Sequence, residues 1–122
     1  MAKKILITED SPTVLEILKS VLAEEGYEVI AAVDGKEALD LVKAEKPDLI
    51  ILDVMLPKID GYKVCRMLKF DDKYKDIPII MLTARAKETD EKLGKEVGAD
   101  AYIKKPFEPE MIIDKVRELL NP

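Results

Sequence analysis

No histidine occurs anywhere in the 122-residue chain. That absence removes histidine-based acid–base catalysis, most catalytic zinc sites and any phosphohistidine formed on the chain itself. Cysteine appears once, as Cys65, so no disulfide can form within the chain; a reducing compartment, the cytoplasm, is the natural expectation. Glutamine is absent, and Asn121 is the only asparagine. Scarce amides beside 37% charged residues, mostly Lys and Glu, resemble a thermophile's composition, although a short chain can reach the same balance by chance. No apolar run nears the ~20 residues that span a bilayer. Met1-Ala2-Lys3-Lys4 leads straight into a strand, without the apolar core or cleavage site of a signal peptide. There is no clustered Lys/Arg face either. With a net charge of -5 and a pI of about 4.9, the chain is poorly suited to nucleic-acid phosphates.

What is present is a regular alternation. A hydrophobic content of 48% in 122 residues suits one globular domain, here residues 1–122, with a real core. Strand-like and helix-like segments alternate five times. Ser11-Pro12 opens the first helix as N-cap and first helical residue; Val14, Ile17, Leu18, Val21 and Leu22 form its stripe and Gly26 ends it. Tyr27 to Ala32 reads as the second strand. Asp34-Gly35-Lys36-Glu37 resembles a capping box opening a helix to about Ala44, which Pro47 closes. Asp48 to Asp53 is nearly all apolar, as expected of a strand covered on both faces. Asp60 caps the next helix, with Val64, Cys65 and Leu68 inward. Ile77 to Thr83 is the fourth strand. A charged helix over about Lys87 to Val97, interrupted by Gly94, precedes a short strand at Ala101 to Ile103. The last helix opens near Pro109 and carries Met111, Ile112, Val116, Leu119 and Leu120. The pattern is (βα)5. Right-handed crossovers then place helices on both faces of a doubly wound parallel sheet.

Five residues stand at or just past strand ends: Glu9, Asp10, Asp53, Thr83 and Lys105. In an open parallel sheet these ends share one edge, where α/β proteins keep their sites. Three carboxylates, a hydroxyl and an ammonium suit a divalent cation and a phosphoryl group. Each also has an ordinary structural reading. Acids stabilise a helix N-terminus, a loop Asp caps a turn, Thr is common in strands and Lys is common on surfaces. Convergence on one edge favours the joint reading. Asp53 can act as a nucleophile toward phosphorus, forming an acyl phosphate.

The chain resembles a receiver domain of two-component response regulators over essentially its whole length. The resemblance rests on Glu9-Asp10, on the D-x-x-x-P-x-x-D-G string from Asp53 to Gly61, on Thr83-Ala84, and on Lys104-Lys105-Pro106-Phe107. It implies a flavodoxin-like five-stranded sheet in the order 2-1-3-4-5. It implies that Asp53 accepts a phosphoryl group from the phosphohistidine of a sensor histidine kinase. It implies magnesium held by Asp10, Asp53 and the backbone carbonyl of Met55, with Glu9 acting largely through water. Lys105 and Thr83 would contact the phosphoryl oxygens, and the Lys105–Pro106 bond would be cis. Met55 and Arg85 would tune hydrolysis. Thr83 and Tyr102 would switch the surface of the helix at 87–97, the last strand and the last helix, toward an unidentified protein partner.

On this reading the domain is chiefly a switch with weak activity on its own aspartate, a monomer or weak dimer without membrane or nucleic-acid contacts. A phosphorelay intermediate or a kinase-docking module is the alternative role. A flavodoxin-like FMN binder would need a Ser/Thr/Gly-rich loop where Glu9-Asp10-Ser11-Pro12 stands. An Asp-nucleophile phosphatase usually carries a second Asp where Met55 stands. A docking module without phosphorylation would not need both Asp53 and Lys105.

Overall fold

The computed structural model describes residues 2–83 and 98–120. Five strands, β1 (Lys4–Thr8), β2 (Glu28–Ala32), β3 (Leu49–Asp53), β4 (Ile79–Thr83) and β5 (Ala101–Lys104), form one parallel sheet ordered β2-β1-β3-β4-β5. The described helices are α1 (Pro12–Glu24), α2 (Gly35–Glu45), α3 (Gly61–Lys69) and α4 (Pro109–Leu120). The doubly wound sheet and its strand order are as expected. The expected helix over Lys87 to Val97, and Arg85, lie outside the described residues.

Period-two alternation divides the core into two layers. Leu6, Ile50, Leu52, Ile79 and Met81 face α2 and α3, meeting Val42, Val64, Cys65 and Leu68. Ile5, Ile7, Leu49, Ile51, Ile80 and Leu82 face the other way, toward Leu18 and Leu22 of α1 and Ile112 and Val116 of α4. Every residue of β3 and β4 is therefore buried, which is why their sequences are apolar without a break until Asp53 and Thr83.

Local chemistry sets the helix ends. Ser11 Oγ accepts the Val14 N–H at 3.4 Å, Asp34 Oδ1 that of Glu37 at 2.8 Å and Asp60 Oδ1 that of Lys63 at 3.0 Å. Gly26, with φ 91°, turns the chain out of α1. Three strands begin later than expected. β2 starts at Glu28, β3 starts at Leu49, and β4 starts at Ile79 because Ile77 donates its N–H back to Tyr74 and Pro78 has none to give. Ile17 and Met111, expected on the inward stripes, are 44% and 48% exposed. Each precedes a buried residue of its helix, Leu18 or Ile112, by one position and so lies about 100° around the axis from it. Ile17 instead lines a hollow of about 550 Å³ with Val14, Lys105, Pro106, Phe107 and Pro109.

The N-terminal edge of the sheet is braced by charge. Lys69 Nζ donates to the carbonyls of Lys75 (3.0 Å) and Ile77 (2.8 Å) and pairs with Asp100 at 2.6 Å. Asp100 in turn accepts the Ile79 N–H at 2.8 Å. Cys65 lies fully buried on the inner face of α3, and burial pushes its thiol up to about 12. Among the described residues, no helix is long and apolar enough to cross a membrane.

Candidate functional site

The opposite, C-terminal edge gathers the residues singled out in the sequence. Register places Thr8 beside Leu52, Asp53 beside Leu82 and Thr83 beside Lys104, so the chain leaves four strands at nearly one level.

Glu9 follows β1, and its N–H donates to Ala32 of β2 at 3.0 Å. Its side chain turns inward and is fully buried. Oε2 accepts the Ser11 N–H at 3.1 Å and Oε1 accepts Lys105 Nζ at 2.7 Å. Asp10 stays exposed at the rim. Asp53 ends β3 with its side chain almost wholly covered; Oδ1 accepts the Met55 N–H at 3.2 Å and Oδ2 lies 3.3 Å from Lys105 Nζ. Oxygens of Glu9, Asp10 and Asp53 all come within 4.8 Å of one another. The Met55 side chain is exposed, but its N–H bond holds the backbone at the Asp53 carboxylate.

The loop after Asp53 is set by backbone packing. Gly61 N–H donates to Val54 at 3.0 Å, and a Cβ on Gly61 would meet the Asp53 carbonyl at 2.1 Å. Gly35 meets Ile59 in the same way, at 2.3 Å from its carbonyl. Lys58 takes a left-handed φ of 67° between them.

Thr83 ends β4, buried, and its carbonyl accepts the Lys105 N–H at 2.5 Å. That bond ties the lysine to the strand beside Asp53. The Lys105–Pro106 peptide bond is cis. Tyr102 sits on β5 opposite Met81, half-buried, with its hydroxyl 2.6 Å from that of Tyr62.

Two buried carboxylates, Glu9 and Asp53, share one ammonium, and that imbalance perturbs Glu9 and Lys105. Burial raises the Glu9 pKa, hydrogen bonding and repulsion from Asp53 raise it further, and Lys105 and the Ser11 N–H oppose the rise. For Lys105 burial acts downward, yet the bond to Glu9 and the attraction of Asp53 outweigh it and the pKa is raised. Hard oxygen donors with surplus negative charge match a divalent cation such as magnesium.

A test of this charge strain follows. A carboxyl with a raised folded pKa adds stability below its ordinary pKa and loses it as pH climbs through the raised value. Ionised Glu9 is thus a cost at neutral pH. In EDTA, Asp53→Asn, Asp10→Asn and Glu9→Gln are each expected to raise Tm. Relief of one like-charge pair is worth about 1 kcal/mol, or roughly 3–5 °C for a domain of this size. A fall in all three variants would make the carboxylates structural.

The sequence placed Glu9, Asp10, Asp53, Thr83 and Lys105 at one edge, and the structure brings them together there. It did not reveal that Glu9 meets Lys105 directly, a pairing across 96 positions. Tyr62 was missed altogether. It is one of four tyrosines, and nothing local to it points to Tyr102.

The acidic pair, an aspartate and a lysine define a doubly wound α/β domain with a charged site at the C-terminal edge of its sheet. The chain belongs to the response regulator receiver domain family, whose pattern matches residues 5–117. It is 48% identical over 121 residues to the alkaline phosphatase synthesis transcriptional regulatory protein PhoP of Bacillus subtilis, covering 99% of this chain and 50% of that protein. The chain thus spans about half the length of the curated relatives it matches. Among solved structures it is similar to a putative response regulator from Chloroflexus aurantiacus, at 40% identity and a TM-score of 0.95 over 100% of both chains. It is also similar to the receiver domain of a sensor histidine kinase from Pseudomonas aeruginosa PAO1, at 28% identity and a TM-score of 0.91 over 100% of both chains. That protein has a magnesium ion coordinated in its active-site cleft.

Proposed function

We propose that this domain is a phosphorylation-operated signalling switch with Asp53 as the acceptor. The observation that carries the reading is the meeting of Glu9, Asp10 and Asp53 oxygens within 4.8 Å, with Lys105 Nζ 3.3 Å from Asp53. A carboxylate oxygen of Asp53 attacks the phosphorus of a sensor kinase's phosphohistidine. The P–N bond breaks, an O–P bond forms, and the imidazole leaves with the electron pair. Lys105 is already held at the acceptor and moves little to neutralise a phosphoryl oxygen. Thr83, at the neighbouring strand end, supplies a hydroxyl. Asp10, Asp53 and the Met55 carbonyl would hold magnesium, with Glu9 acting through water; the magnesium in the active-site cleft of the Pseudomonas neighbour supports the choice of ion. When bound, the ion offsets the carboxylate charge and that of the transferring group. The residues fit because all are hard oxygen donors.

Water later cleaves the acyl phosphate, so catalysis is confined to the domain's own aspartate. The donor is a histidine kinase. The recipient is a protein that reads the surface of β5, α4 and residues 87–97. The test is intact mass after treatment with acetyl phosphate. A gain of one phosphoryl group in magnesium that disappears in EDTA is expected; no gain in either overturns the reading.

Phosphoryl lifetime should be long. Met55 is 61% exposed beside Asp53 and carries no group to orient water. Met55→Asn is expected to shorten the acyl-phosphate half-life about fivefold, well short of full general-base assistance. Arg85 lies outside the described residues; by the family resemblance, Arg85→Ala is expected to shorten the half-life as well. Half-lives unchanged in both variants count against this.

A further inference from the structure

Tyr62 and Tyr102 are 40 positions apart, yet their hydroxyl oxygens lie 2.6 Å from each other. Both rings are half-buried on the α2/α3 face and pack against the cluster that contains Leu6, Leu52 and Met81. Tyr102 is two positions before Lys104, the register partner of Thr83. Tyr62 is the second residue of α3, directly after Gly61. A Cβ on Gly61 would come within 2.1 Å of the Asp53 carbonyl and 2.9 Å of the Val54 α-carbon. Tyr62 is therefore seated on the same strand end that carries the acceptor, and its hydroxyl reaches across to the edge strand.

We propose that Tyr62 is a positioning residue that holds Tyr102 in its resting orientation, and that phosphorylation of Asp53 works against this hydroxyl–hydroxyl bond. The inference rests on the reading of Asp53 as acceptor and of Tyr102 as a moving ring. Whichever hydroxyl donates, the bond fixes the end of the Tyr102 ring toward α3. A ring that swings toward Thr83 must break it. The bond then belongs to one of two states only, and a contact made in one state alone is what biases an equilibrium. A neutral hydrogen bond of ordinary strength shifts such an equilibrium roughly two- to tenfold. Gly61, the residue before Tyr62, donates its N–H to Val54, the residue after Asp53, at 3.0 Å, so the restraint is fastened one residue from the acceptor.

The experiment uses the full chain with magnesium and beryllofluoride, a mimic of the phosphoryl group, followed by NMR of labelled tyrosine rings. Tyr62→Phe keeps the ring and its packing and removes the hydroxyl. Without beryllofluoride, the Tyr102 ring signals of this variant are expected part-way toward their bound positions. The beryllofluoride midpoint should fall roughly two- to tenfold. Tyr102→Phe removes the same bond from the other side, so Tyr62→Phe added to it should change the midpoint no further. A Tyr62→Phe protein with wild-type ring signals and midpoint overturns the inference alone. So does a Tyr62–Tyr102 bond that persists in the bound form. An unmodified protein that ignores beryllofluoride overturns the acceptor reading, and this inference with it.

Discussion

Asp53→Asn is expected to abolish phosphorylation: treatment with acetyl phosphate and magnesium should leave its mass unchanged, where the unmodified protein gains one phosphoryl group. Three carboxylates meet at the site, and their surroundings separate their roles. Glu9 is fully buried, with one oxygen on the Ser11 N–H and the other on Lys105. Asp10 is exposed, and neither Lys105 ion pair reaches it. Asp53 alone combines a place at the end of a central strand with Lys105 at 3.3 Å and a backbone N–H on its other oxygen. The amide keeps the shape and one accepting oxygen, its NH2 cannot accept from the Met55 N–H or from Lys105, and it is no nucleophile at phosphorus. Labelling that persists in this variant, mapped to another residue, would sink the assignment.

The second large effect is on stability. Gly61→Ala should lower Tm by roughly 10 °C, from a cost of about 2–3 kcal/mol at the upper end of overpacking. The new methyl group would lie 2.1 Å from the Asp53 carbonyl and 2.9 Å from the Val54 α-carbon, both backbone atoms with little room to yield. The start of α3 must lift away, stretching the Gly61–Val54 hydrogen bond of 3.0 Å. Because that backbone carries Asp53, acetyl phosphate labelling should also slow in the folded variant. An unchanged melting curve would mean the loop has slack that the geometry does not suggest.

Much of the architecture was legible because it is written in local chemistry. Ser11-Pro12, Asp34 and Asp60 announce helix starts through caps that need only three neighbouring residues. Leu49 to Leu52 announces a strand buried on both faces by having no polar residue to turn outward. The site was legible for a related reason, since parallel topology sends every strand end to one edge. Contacts between distant side chains were not. Lys69 looks like any helix-surface lysine, yet it reaches two carbonyls and Asp100 across the α3–β4 turn. Ile17 looks like core, yet it faces the hollow beside Pro106 and Phe107. Periodicity identifies a face; only the packed neighbours decide how wide the covered stripe is.

The buried Cys65 bears on what the domain can be told. Its thiol, pushed up to about 12 chiefly by burial, with the pull of Lys69 opposed by Asp100, carries almost no thiolate at neutral pH. Oxidants and electrophiles react with thiolates. Peroxide, disulfide exchange and alkylation therefore find no thiolate at Cys65 to address in the folded protein. The only sulfhydryl in the chain is shielded by its burial, so thiol chemistry adds no second input to the charged edge at the far side of the sheet.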